Sequence, residues 1–159
     1  MIFERDSGGA VLKLKAGVVR LLWSHRQIGS RPESGGVLVG RRLLEGGACL
    51  VDDASPPALQ DTRGRFHFER SRKPHQDFVD ASWARSDGTS HYLGEWHTHP
   101  ERRPTPSIVD LEDWRRLVRE CEYPGDGLFF VIVGTEDVRA WSLPRDGVEP
   151  ERLKLRGEM

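Results

Sequence analysis

Residues Gly94 to Asp110 read GEWHTHPERRPTPSIVD. Two histidines, His97 and His99, stand two apart, and Asp110 follows after a gap of ten residues. The aromatic and apolar lead-in, Tyr92 to Trp96, reads as a strand. Alternate strand residues face opposite ways, so Glu95, His97 and His99 share one face while Trp96 and Thr98 take the other. Pro100 has no N–H for a sheet ladder and ends the strand. Glu101 to Pro106 is charged and holds prolines at 104 and 106, which predicts a loop.

Ser107 then opens a helix. Ser107-Ile108-Val109-Asp110 has the form of a capping box with Asp in the place of Glu or Gln. The apolar positions Leu111, Trp114, Leu117, Val118 and Cys121 recur at helical spacing. Asp110 therefore falls in the first helical turn, where the helix dipole favours a carboxylate. Two imidazoles and one carboxylate leave a tetrahedral position open, the pattern of a catalytic rather than a structural zinc site. Singly, each part has an ordinary reading. Strand histidines often just satisfy hydrogen bonds, and Ser107 and Asp110 are ordinary capping residues. Together, on a strand end feeding a helix start, they point to a metal.

His97-Thr98-His99-Pro100 followed by Ser107-Ile108-Val109-Asp110 resembles the JAMM signature of the JAB/MPN metalloprotease family. That pattern is H-[S/T]-H-P, a gap, then S-x-x-D, with a glutamate upstream beside a glycine-rich strand start. Pro32-Glu33-Ser34-Gly35-Gly36-Val37-Leu38-Val39-Gly40 fits the upstream place. The resemblance covers residues 10 to 142 and looks closest to small bacterial members. It implies that His97, His99 and Asp110 bind Zn²⁺, that Glu33 is the general base, and that Ser107 stabilises the oxyanion. Taken without it, Glu33 is a loop glutamate of the usual solvated kind, raised in interest only by the two glycines that follow. Glu95 is its rival, as base, as ligand, or as a partner that orients a histidine or pairs with an arginine. No HExxH motif occurs, so this is not a helix-borne zincin.

Composition bounds the rest. The chain has 159 residues and a formal net charge of −1, with 31% charged residues, so no global field draws it to nucleic acid or to a membrane. The length suits a single domain over residues 1–159, with its core in 10–142. Cys49 and Cys121 lie far apart without CxxC spacing and read as reduced. The apolar run Leu128 to Val133 is too short to cross a bilayer, and Met1 leads into charged residues rather than a signal peptide. A cytoplasmic location is the expectation.

Outward from the motif, Lys15 to Gln27 predicts a helix ended by Gly29 and Pro32. Val37–Val39 and Ala48–Val51 predict a hairpin turning at Glu45-Gly46-Gly47. Residues 58–75 carry Arg63, Arg65, Arg70, Arg72 and Lys73 around Phe66, His67 and Phe68, and Arg65 to Arg70 alternates as a strand would. In the JAMM-like reading this is an insertion that clamps a protein substrate. His75 to Ser86 predicts a second helix. Leu128–Val133 and Val138–Leu143 predict paired strands, and Val148–Leu155 an edge strand or a tail. The fold expected is α+β: a central mixed, curved β-sheet of about six strands flanked by helices. The resemblance implies an MPN/JAMM-like, cytidine-deaminase-like domain.

The chemistry expected is hydrolysis of an amide bond. The resemblance points to the bond after the C-terminus of a ubiquitin-like or otherwise conjugated protein, within a bacterial conjugation system that includes activating and conjugating proteins and serves antiphage defence. Two other classes stay open. A metal-dependent nuclease or nucleotide hydrolase would use the Arg63–Lys73 ribbon with Arg102 and Arg103, but the near-neutral net charge weighs against it. A non-catalytic MPN scaffold would lack ligands, whereas every ligand type is present.

Overall fold

Side chains along the strand Gly127–Val133 (β8) divide between two apolar surroundings. Val131 and Val133 join one cluster of buried residues, and Leu128, Phe130 and Ile132 join another. A strand apolar on both faces is covered on both, because successive residues point opposite ways. The structure, a computed structural model, describes residues 1–157.

The elements run β1 (Ile2–Glu4), β2 (Ala10–Leu14), α1 (Ala16–Ser24), β3 (Gly35–Arg42), β4 (Cys49–Ala54), β5 (Thr62–Gly64), β6 (His67–Glu69), α2 (Arg72–Arg85), β7 (His91–Thr98), α3 (Ile108–Glu120), β8, β9 (Val138–Pro144) and β10 (Glu151–Gly157). Eight strands close into a barrel in the order β1-β10-β9-β8-β7-β3-β4-β2, and β5 and β6 form a separate two-stranded hairpin. The expected curved sheet of about six strands flanked by helices is therefore overturned: this is a closed eight-stranded barrel carrying three helices. The reason lies in strands too short or too polar to announce themselves. Ile2–Glu4 and the tail-like Glu151–Gly157 pair antiparallel with each other, and Leu12–Leu14 pairs parallel with Cys49–Val51. Those two ladders turn an open sheet into a ring.

The first apolar cluster draws residues from all eight barrel strands, including Phe3, Leu12, Val51, Trp96, Ala140 and Leu153, and so fills the barrel. The second lies between α3 and the outer face of β8 and β9. There Trp114 stacks on Phe130 with ring centroids 4.5 Å apart and tilts against Trp141 at 5.6 Å. Burial of each such side chain contributes about 1.5–3 kcal/mol, enough to fix α3 against the sheet. The barrel strands β7 and β8 run parallel, with α3 as their crossover.

Local departures are small. The helix expected over residues 15–27 stops at Ser24. The strand expected over 65–70 is a turn followed by the short β6. The β3–β4 hairpin and the β8–β9 pair form where the apolar runs predict them.

Candidate metal centre

Both strands beside the site are aligned by glycines. Gly94 has φ +142°, and a Cβ there would lie 1.7 Å from the Phe129 carbonyl oxygen. The β3–β7 register shifts at this point, Leu38 facing Gly94 while Val39 faces Tyr92. Such a bulge re-aims the side chains beyond it. Beyond it Trp96 and Thr98 are buried at 1% and 0% exposure, while His97 turns to the opposite face. On β3, Gly35 pairs with His97. Ser34 then bonds Thr98 twice, its carbonyl accepting from Thr98 N–H at 2.8 Å and its N–H donating to Thr98 Oγ at 2.9 Å. Continued one step, that register brings Glu33 across from His99.

At the far end of the loop, Ser107 caps α3. Its Oγ accepts from Asp110 N–H at 3.1 Å, and the Asp110 carboxylate accepts from Ser107 N–H at 2.7 Å. This reciprocal box fixes the Asp110 rotamer. The result is a tight triangle. His97 Nε2 and His99 Nε2 are 3.0 Å apart, and Asp110 Oδ1 and Oδ2 lie 3.2 Å from His97 and His99 respectively. Ligand atoms about 2.0–2.1 Å from a tetrahedral zinc stand about 3.3–3.4 Å from one another. These edges fit such a shell. Among the described residues, His97, His99 and Asp110 form the group of three side chains able to hold a metal ion together. His99 Nδ1 is buried without a hydrogen-bond partner, 4.0 Å from Glu101 Oε1. A metal-ligating histidine commonly donates its second N–H to a carboxylate, and Glu101 is a carboxylate beside that nitrogen, at 4.0 Å.

For Asp110, burial pushes the carboxyl up, but hydrogen bonds from His97 and His99 more than offset this and hold it well below the usual carboxylate range. His97 is pulled down by burial, yet Asp110, Glu33 and Glu95 together leave it above its ordinary value. Glu33 is 7% exposed, and burial raises its carboxyl against the opposing pull of His97 and His99.

Glu33, Ser107, His97, His99 and Asp110 all line one cavity of about 680 Å³. Phe66 and Val109, both well exposed, stand at its edge. The Ser107 hydroxyl hydrogen has no acceptor among the described residues and is free to donate into the cavity. Glu95 is otherwise engaged: it ion-pairs with Arg70 and accepts from the Tyr92 hydroxyl at 3.1 Å.

Sequence reading missed the support around Glu33. Gln27, Arg63 and Phe68 all touch this frame, and nothing in their spacing marks them. It also passed over a buried Ser55–His75–Asp61 chain. Ser55 Oγ bonds His75 Nδ1 at 2.7 Å, and His75 Nε2 meets both Asp61 oxygens at 3.0 Å. Those distances match a hydrolytic triad, but Ser55 and His75 are 3% and 1% exposed and no substrate reaches them. Ser55 Oγ accepts from Val37 N–H and Asp61 accepts from Ser71 N–H, so the chain ties α2 to β3.

Comparison with known proteins adds the following. Residues 15–144 match a family model described as prokaryotic homologs of the JAB domain. A CD-NTase/cGAS isopeptidase of Vibrio cholerae serotype O1 is 41% identical over 138 residues, covering 86% of this chain and 84% of the relative. A CD-NTase/cGAS isopeptidase of Escherichia coli is 35% identical over 139 residues, covering 87% and 85%. Among solved structures, the solution structure of a protein from Desulfitobacterium hafniense superposes with a TM-score of 0.59 at 23% identity, over 94% of this chain and 95% of that one, a likeness of fold.

Proposed function

The chain belongs to the prokaryotic family of JAB-domain homologues, and from that premise we propose that it is a zinc-dependent isopeptidase acting in a CD-NTase-linked antiphage system. It hydrolyses an amide bond that joins the C-terminus of a CD-NTase/cGAS-type or ubiquitin-like protein to a target. Relatives named CD-NTase/cGAS isopeptidase, alike over most of both chains, support the reaction and the substrate class. The observation that carries the metal reading is the triangle of His97, His99 and Asp110, with edges of 3.0–3.2 Å.

A zinc ion held by those three side chains supplies Lewis acidity toward a carbonyl and toward water. The protein's own groups do the remainder. Glu33 takes a proton from the attacking water as its oxygen bonds to the carbonyl carbon. As the C–N bond breaks, Glu33 delivers that proton to the leaving amine. Ser107 donates its hydroxyl hydrogen to the developing oxyanion. The hairpin β5–β6 and the start of α3 flank the cavity as the walls between which an extended tail lies.

The test uses purified protein with a panel of CD-NTase and ubiquitin-like proteins, each fused through its C-terminal carboxyl to a reporter amine. Cleavage at the junction, about one zinc per chain and loss of cleavage with chelator are expected. His97→Ala and Asp110→Ala lose the metal. Glu33→Gln keeps the metal and stops turnover. Unimpaired cleavage by metal-free protein would sink the proposal.

A further inference from the structure

Glu33 lies in no helix or strand; it is the second residue before β3. A buried residue outside regular structure must still have its backbone groups bonded. Two adjacent residues of the β5–β6 hairpin provide both bonds. The Glu33 N–H donates to the Gly64 carbonyl at 2.7 Å, and the Glu33 carbonyl accepts from Arg63 Nε at 2.7 Å. The same guanidinium reaches on, its Nη2 donating to Ser34 Oγ at 2.5 Å. Arg63 is exposed and makes no ion pair among the described residues. Its fork spans two neutral acceptors, so its bonds constrain geometry rather than balance charge.

The hairpin is in turn fastened to the histidine strand. Gln27, buried, donates from Nε2 to the Arg65 carbonyl at 2.8 Å and to the Arg31 carbonyl at 3.2 Å. Its Oε1 accepts from the Thr98 hydroxyl at 3.0 Å, and Thr98 sits between His97 and His99. The ring of Phe68 lies against Gly35, where an added Cβ would come within 2.6 Å of it. Hairpin, Glu33 and histidines thus share one frame, although their sequence positions are far apart.

We infer that Arg63 is a positioning residue for Glu33: by bridging the Glu33 carbonyl and the Ser34 hydroxyl, it holds the general base at its working distance and couples that base to the hairpin beside the substrate cavity. This rests on the isopeptidase reading for its catalytic half, and on backbone geometry alone for the other. A displacement of the base by about 1 Å costs on the order of 100-fold in rate.

Two readouts test it. In metal-free protein, Arg63→Met speeds amide hydrogen exchange at Glu33 by at least about tenfold while Val131, deep in β8, keeps its protection. In the zinc-loaded protein, Arg63→Met lowers kcat by roughly 10- to 100-fold, with KM changed less than about threefold and zinc content unchanged. Arg63→Lys keeps the charge but cannot bridge two acceptors in one plane, so it stays impaired. Ethylguanidinium added to Arg63→Ala restores part of kcat. Unchanged exchange at Glu33, or full kcat in Arg63→Met, overturns the inference. So does full kcat in Arg63→Lys, which assigns the effect to charge. If the wild-type chain cleaves no conjugate, the isopeptidase reading fails instead, and exchange at Glu33 still decides what Arg63 holds.

Discussion

Glu33 carries a carboxyl whose proton is held more tightly in the folded chain than in the unfolded one, because burial penalises its charge. The folded state therefore binds more protons between the ordinary carboxylate pKa and the raised one, and stability declines as pH rises through that window. Glu33→Gln removes the penalty. Metal-free Glu33→Gln is expected to melt above the wild type at about pH 8 and close to it at about pH 4, as thermal scans at both values would register. Catalysis runs the other way. As the proposed base, Glu33 would work only when deprotonated, so kcat/KM is expected to climb with pH as it ionises, and a pH-independent kcat/KM counts against that role. At this scale the sequence was informative where chemistry is rare. A pair of histidines at i and i+2 and a carboxylate in a capping box are each ordinary alone, and it was their combination on a strand end feeding a helix start that pointed to a metal. The sequence did not tie Arg63 or Gln27 to Glu33, because each makes bonds to backbone carbonyls of distant residues; for Gln27 one lies 38 positions away. No side-chain identity encodes a bond to a carbonyl.

The helix α3 starts with a residue that serves both fold and cavity. Ser107 completes the capping box, and its free hydroxyl hydrogen faces the cavity. Ser107→Ala is expected to cost about 1 kcal/mol of stability, and Ser107→Gly only a few tenths. Both lose the hydroxyl, so both should lower kcat by the same factor, on the order of 100-fold. Urea melts beside steady-state kinetics separate the two duties, and a rate that tracks stability would argue for the cap alone. The helix α2 depends on the Ser55–His75–Asp61 chain. His75→Phe strands a buried carboxylate and a hydroxyl, and about 2–4 kcal/mol of unfolding free energy should disappear in urea titrations. Periodicity revealed α3, β8 and β9 because each presents a long apolar face. It misjudged Arg65 to Arg70. There the alternation of basic and aromatic residues is split by a turn, and the pairing of Thr62–Gly64 with His67–Glu69 makes a hairpin.

Among the described residues, neither apolar cluster includes His97, His99 or Asp110. Chelation is accordingly expected to abolish cleavage while leaving the far-UV circular dichroism unchanged, unlike a zinc finger, which unfolds without its ion. The family was legible from two stretches together, Gly94 to Asp110 and the upstream Pro32 to Gly40. The ring of strands was not. Closure depends on Ile2–Glu4, Ala10–Leu14 and Glu151–Gly157, which are three, five and seven residues long. Strands so short or so polar carry too little pattern to distinguish a barrel seam from a loose tail, and partner choice within a sheet is a property of the assembled fold. That no helix among the described residues is long and apolar enough to cross a membrane fits the short apolar runs seen in the sequence.

Because Phe3 lies opposite Leu155 in the seam, the backbone makes almost a full circuit before meeting itself. A short linker replacing Glu158 and Met159 could weld Gly157 to Met1, and new ends could be opened at Gly46, an exposed hairpin tip with φ +74°. In the cyclic order of strands, the weld at β1 and β10 sits across the cylinder from β3 and β7. Such a rewired chain should therefore keep its cutting activity, and reporters could be attached near the weld without crowding the cleft.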